Sequence, residues 1–188
     1  MKFVKTCLIT MLSLFLIAQA AVAGPSESDC RETLKQFREL GNVSELLAES
    51  VGYAVLPTVG KGGIGIGGAG GSGCVFKGGS QTGTVSMGQL TIGWQLGGQA
   101  YSQLILFKNN DVYTEFTTGE FEFGAQATAV ALTYGAGAEA GTKGASASAG
   151  ETKGKAAWEK GMAVFTLAKG GLMYEASIGG QKFNYKPL

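Results

Sequence analysis

The side chains able to do chemistry are few in this chain, and their types exclude more than they offer. No histidine occurs among the 188 residues. That removes the usual general base and the commonest metal ligand together. Aspartate occurs only as Asp29 and Asp111, each placed like a cap or turn residue. Glu120 and Glu122 stand at i, i+2 on one face of a strand, a spacing that paired-carboxylate chemistry can use. Opposite Phe121 and Phe123, they read more simply as the solvated face of that strand. Cys74 follows a glycine run, but with no histidine to activate it the thiol reads as a core residue or half of a disulfide. Gly65-Ile66-Gly67-Gly68-Ala69-Gly70 matches the dinucleotide pattern G-x-G-x-x-G, which works only where a helix starts and meets the pyrophosphate. Here glycine continues at Gly71 and Gly73, and a strand, Cys74-Val75-Phe76, follows instead. No phosphate loop occurs either, because Gly150 to Lys155 is one residue short and is followed by Ala156. The expectation is a non-catalytic protein without cofactor or metal.

The cations are more suggestive. Arg31, Lys35 and Arg38 recur at i, i+4, i+7 beside an apolar stripe of Cys30, Leu34 and Phe37. A helix lying on a phospholipid surface has this pattern, apolar face down and cations at the headgroups. The same stripe can instead pack on a sheet, with Glu27, Glu32 and Glu39 neutralising the cations. The two readings are partly compatible, since a stripe can face the core while its basic flank meets lipid.

These residues need elements to hold them. Ser28 to Leu40 reads as a helix, with Ser28 as cap, Asp29 and Glu32 in the first turn, and Gly41-Asn42 ending it. Ser44 then caps a second short helix through Leu46, Leu47 and Ala48. The rest reads as strands. From Leu90 to Leu106 the even positions carry Leu90, Ile92, Trp94, Leu96, Ala100, Leu104 and Leu106 and the odd ones Thr91, Gln95, Gln99 and Gln103, a period of two. Gly97-Gly98 should break this run into two strands or bend one strongly. Met162 to Ala168 and Leu172 to Ile178 read as a hairpin turning at Lys169-Gly170-Gly171, and Gly179-Gly180 turns into a last strand. Residues 135–155 are almost wholly small or charged and read as a flexible loop or a closely packed glycine-alanine strand pair. The fold expected is α+β: N-terminal helices, then a twisted, glycine-rich antiparallel sheet curled into a barrel or sandwich.

Residues 52–73 carry a further signal: an apolar run to Leu56, then Pro57, then Lys61 followed by glycines alternating with Ile64 and Ile66. This order, Pro-x-x-x-Lys-Gly-Gly and then glycine alternation, resembles the signature of the SYLF domain, a lipid-binding family. The resemblance runs on through Gly93-Trp94-Gln95-Leu96-Gly97-Gly98-Gln99, Leu104 to Asp111, Phe121 to Ala127, Gly135 to Gly141 and Lys169-Gly170-Gly171-Leu172. The tract 144–150 and the shortage of charge after Lys61 depart from the pattern. The resemblance implies membrane lipid binding, with Lys61 meeting a phosphate and Gly62, Gly63 and Gly65 keeping the backbone there unobstructed. Some eukaryotic members also bind and bundle actin, and those carry an appended SH3 or FYVE module.

Composition bounds where such a protein works. Residues 1–23 read as a signal peptide: Lys2 and Lys5, an apolar Cys7 to Ala18, and Ala21-Val22-Ala23 before Gly24. The apolar run is shorter than the ~20 residues that span a bilayer. Residues 24–188 then form a single domain in which 13 basic residues face 14 acidic ones, a balance unsuited to nucleic acid. Cys30 and Cys74 remain and can pair in an oxidising compartment, although sequence alone leaves their distance open. Together these readings imply an exported protein of a bacterial periplasm or cell envelope, where actin is not expected as a partner. Its expected function is association with anionic phospholipid surfaces. The alternative is an envelope scaffold that pairs with itself or a protein partner through its glycine-rich sheet.

Overall fold

The computed structural model describes residues 24–40, 42–123, 130–132 and 158–188. Three short helices are present among them: α1 (Glu27–Arg38), α2 (Val43–Glu49) and α3 (Asn110–Thr117). Five strands form one sheet: β1 (Gly52–Lys77), β2 (Ser80–Phe107), β3 (Glu120–Phe123), β4 (Val130–Leu132) and β5 (Met162–Pro187). The sheet runs β1-β2-β5-β3, antiparallel throughout, with β4 parallel to β5. The α+β class is as expected. The barrel is not formed, because the described strands make one open path whose ends do not pair. The expected leader, residues 1–23, and the small-residue tract at 135–155 lie outside the described residues, as does Gly41.

Helix α1 is capped by Ser26 rather than Ser28. Asp29 N–H donates to Ser26 Oγ at 3.2 Å while Ser26 N–H donates to Asp29 Oδ2 at 3.0 Å, a reciprocal capping box. Ser28 lacks the carboxylate that such a box needs three residues on, since Arg31 stands there. Nor does Ser44 cap α2: Asn42 is at that position without a side-chain capping bond, and Ser44 Oγ donates to the Arg38 carbonyl at 2.9 Å. Helix α3, unforeseen in the sequence, starts at Asn109, whose side chain accepts from Val112 N–H at 3.0 Å, and buries Tyr113 and Phe116. The donors from Ser26 hold the exposed Asp29 carboxyl below the usual carboxylate range. Its contribution to stability is therefore present above the ordinary carboxylate pKa and lost as pH falls through the lowered one. Protection factors in the first turn of α1, with exchange referred to the intrinsic rate at each pH, should fall as pH drops from about 4 to about 2. Asp29→Asn should remove that pH dependence; an unchanged acid limb would discount the carboxylate.

Three strands of 26 to 28 residues are far longer than usual, and glycine explains how they fit. β1 doubles back on itself around Gly65, a residue at φ +71°. Its two arms meet backbone to backbone. A Cβ on Gly71 would lie 2.6 Å from the Thr58 carbonyl oxygen, and one on Gly73 would collide with Val55 and Leu56. The segments that read as turns at 169–171 and 179–180 are not turns: β5 continues through both, paired with β2 along its length. Likewise β2 is one strand with pairing irregularities near Gly93–Gln95 and at Ala100.

Doubling back buries both faces of the near arms. One face, with Val55, Leu104, Leu106 and Phe165, packs under α1 and α2. The other, with Leu56, Ile105, Phe107 and Val164, packs on Val85, Met87 and Phe183 of the far arms and on α3. This overturns the polar-out reading of the odd positions in β2. Gln103 is wholly buried and Thr91 is 1 % exposed, whereas Leu90 and Leu96 are exposed at 65 % and 58 %. Gln103 Nε2 donates to Gln181 Oε1 at 3.0 Å, while its Oε1 has no partner among the described residues.

Candidate functional site

Helix α1 separates its two stripes as the periodicity requires. Cys30, Leu34 and Phe37 are buried in the core, and Arg31, Lys35 and Arg38 stand exposed along one flank. Arg31 is the most engaged of the three. Its guanidinium pairs with Glu27 at 2.6 Å, donates to the Gly79 carbonyl at 3.1 Å and lies 5.1 Å over the Phe76 ring. Phe76 in turn stacks on Tyr53 with centroids 5.0 Å apart. Burial pushes the Tyr53 phenol up, and the charges of Arg31 and Arg38 oppose that rise. The cationic flank thus borders an aromatic shelf that the helical spacing could not reveal. Of the acidic neighbours considered for neutralisation, Glu27 bridges Arg31.

Lys61 belongs to a different element. It lies half-buried in β1 opposite Gln99, close to the bend. The glycines beside it serve the backbone more than a ligand. A Cβ on Gly63 would sit 2.5 Å from the Ile66 carbonyl oxygen, and one on Gly62 would stand 3.4 Å from that of Gly97. Gly65 supplies the positive φ of the bend and faces open space. The seven expected lipid-binding residues therefore fall into two groups, three on α1 and four at the bend of β1.

Cys30 and Cys74 are joined in a disulfide, with Cα atoms 6.2 Å apart and both side chains fully buried. The bond ties α1 to the far arm of β1 and answers the question that sequence left open. Cys74 is accordingly no free thiol. Glu122 lies 3.7 Å from Lys182 across the β3–β5 pair, and the side chain of Glu120 lies outside the described residues. Among the described residues no cluster of three or more His, Cys, Asp or Glu could hold a metal. A groove of about 510 Å³ between the start of α1 and β1 is lined by Asp29, Glu32, Thr58 and Lys169, among others. None of the expected lipid-binding residues lines it, and Lys169 Nζ is already donating to Thr58 Oγ1 at 3.1 Å.

The bend itself carries a feature that sequence reasoning missed. Ile64 and Ile66 are exposed at 80 % and 66 %, and pairing places them beside Leu96 and Ile92 of β2. The alternation that should have put Leu90 and Leu96 in the core was the available signal; the bend carries them outward instead. No helix among the described residues is long and apolar enough to cross a membrane.

Residues 88–186 match the family model Ysc84, described as Las17-binding protein actin regulator, and so cover more than half of the 188 residues. The match spans β2 from Gly88 onward, α3 and the strands that follow, and agrees with the SYLF resemblance, whose leading glycine signature at residues 52–73 precedes the matched segment. No curated protein matches the chain.

Proposed function

We propose that this chain, which belongs to the Ysc84 (SYLF) family of Las17-binding actin regulators, is an exported, non-catalytic protein that binds anionic phospholipid surfaces. The observation that carries this reading is the exposed flank of Arg31, Lys35 and Arg38 on a helix whose apolar stripe is fixed in the core. Because Cys30, Leu34 and Phe37 are buried, the helix does not sink its own stripe into lipid. It offers cations to headgroups from a rigid platform. Export is supported by the disulfide, a bond that persists in oxidising compartments. In a periplasm neither actin nor Las17, the partners in the family's description, is within reach, and lipid remains. Lys61 takes a secondary place at the bend.

A second reading, an envelope scaffold, is favoured by β1, which pairs along one side only among the described residues. A 26-residue edge is a template for pairing with another copy. Co-sedimentation of residues 24–188 with neutral and anionic vesicles separates the two. Each cation near an anionic surface contributes about 1 kcal/mol, so reversing Arg31, Lys35 and Arg38 to glutamate should weaken binding by more than about a hundredfold. Added salt should weaken the wild type in the same direction. Lys61→Ala should cost less. Unchanged affinity in variants whose circular dichroism is native removes these residues from the site. Self-association that rises with concentration in the absence of lipid moves the function to the scaffold.

A further inference from the structure

We infer that the crest of the folded sheet, formed where β1 doubles back, is a lipid-inserting element that dips into the interfacial zone of a bilayer. The inference rests on the membrane-binding reading above and names a part of the surface which that reading does not use. Ile64, Ile66, Leu90 and Leu96 are each exposed by more than half, whereas the comparable aliphatic residues lower in the same strands are buried. The register gathers them: Ile64 lies beside Leu96, Gly68 beside Leu90, and Ile66 beside Ile92. Single exposed aliphatics are ordinary on a protein surface, but a group at one protruding bend is a contact site.

The occupant follows from shape and charge. The crest is convex, with its side chains leaving a bend whose inner face is closed by backbone contact between the arms. A fluid apolar phase moulds to such a projection, while a protein partner would need a matching socket. No charged residue occurs from Gly78 to Phe107, a run of 30 residues that includes all of β2. In β1 the only charge between Gly52 and Phe76 is Lys61, a cation at the base of the crest that suits an anionic headgroup. Glu175, beside Gln95 in the register, is the acidic residue of β5. The outer edge of β1 limits the depth. Unpaired backbone groups are costly in hydrocarbon, so the crest rests at the headgroup–acyl boundary and does not span the bilayer. Insertion of this kind adds a salt-resistant component to the salt-sensitive attraction of the helix flank.

Trp94 reports directly on the crest, since it lies in the strand segment between Ile92 and Leu96. Trp158→Phe leaves it as the single tryptophan, because the chain has two. Vesicles of phosphatidylcholine and phosphatidylglycerol should shift Trp94 emission to the blue, and brominated acyl chains should quench it. Because each isoleucine would leave water on insertion, Ile64→Ser with Ile66→Ser should weaken binding at high salt roughly a hundredfold or more. Circular dichroism should stay native, as both side chains are exposed. Vesicle binding with unshifted, unquenched Trp94 overturns the crest and leaves the helix-flank reading standing. Absence of binding to any vesicle overturns both. Lipid-free oligomers that the double substitution disperses assign the crest to a second copy of the chain and overturn insertion.

Discussion

Gly73→Ala should destabilise the protein by about 3 kcal/mol or more, the upper range for forcing an extra methyl group into packed surroundings. A Cβ there would meet Leu56 Cα at 2.9 Å and the Val55 carbonyl closer still. Both obstacles are backbone atoms of the opposite arm of β1, so no rotamer change can relieve the clash. The arms would have to part, and with them the contact between Leu56 and Val75 in the inner core cluster. Gly88→Ala is the matched comparison, because nothing lies within 4 Å of its Cβ. That change should be neutral or stabilise by about 0.4–1 kcal/mol through the unfolded chain. Urea denaturation of the two variants tests the difference. Against a total stability of about 5–15 kcal/mol the first loss is large. Equal midpoints for the two would mean that the arms of β1 do not touch as described.

This contrast also shows which glycine signals the sequence makes legible. Glycine density at residues 60–73 demands close packing, bending or binding, and the structure assigns most of it to the first two. What the sequence cannot reveal is that the near arms are covered on both faces. A period-two pattern assumes one wet face and one dry face. Gln103 breaks that assumption by lying inside the fold, and Leu90 breaks it by lying outside. The segments at 169–171 and 179–180 failed as turn signals for the same reason: they lie in a strand paired along a bent neighbour. Helix α1 was far more legible. Its stripe depends on local spacing alone, and only its cap was displaced, by two residues, to where a carboxylate completes the box.

The candidate site divides along the same line. Arg31, Lys35 and Arg38 could be placed on one flank from the 3.6-residue period, because an isolated helix determines it. The aromatic shelf of Phe76 and Tyr53 beneath Arg31 depends on contacts 22 to 45 residues away and has no local signature. Family membership points to binding without distinguishing these surfaces. The helix flank supplies charge and the crest supplies apolar area, and they lie on elements that one crosslink holds in a common frame.

That crosslink should be the largest single covalent contribution to stability. Closing the Cys30–Cys74 loop, with a sequence separation of 44, removes chain entropy worth about 4 kcal/mol from the unfolded state. Cys30→Ala with Cys74→Ala should lower the unfolding free energy extrapolated from urea denaturation by that much, since alanine leaves no buried hydroxyl to penalise. The effect on function should exceed a uniform loss of stability. Helix α1 packs on the sheet through Leu34 and Phe37 in its C-terminal half, and without the bond its N-terminal half keeps only side-chain contacts such as those of Arg31 with Gly79 and Phe76. Amide exchange in α1 should therefore rise before exchange in β2 and β5 does. Vesicle binding at low salt should fall with it, because the cations of a loosened helix no longer act from one face, while any Trp94 shift produced by the crest should persist. A double alanine variant within about 1 kcal/mol of the wild type would show that packing, and not the bond, fixes α1. A shift in Trp94 that vanishes together with α1 would show that the two surfaces bind as one unit.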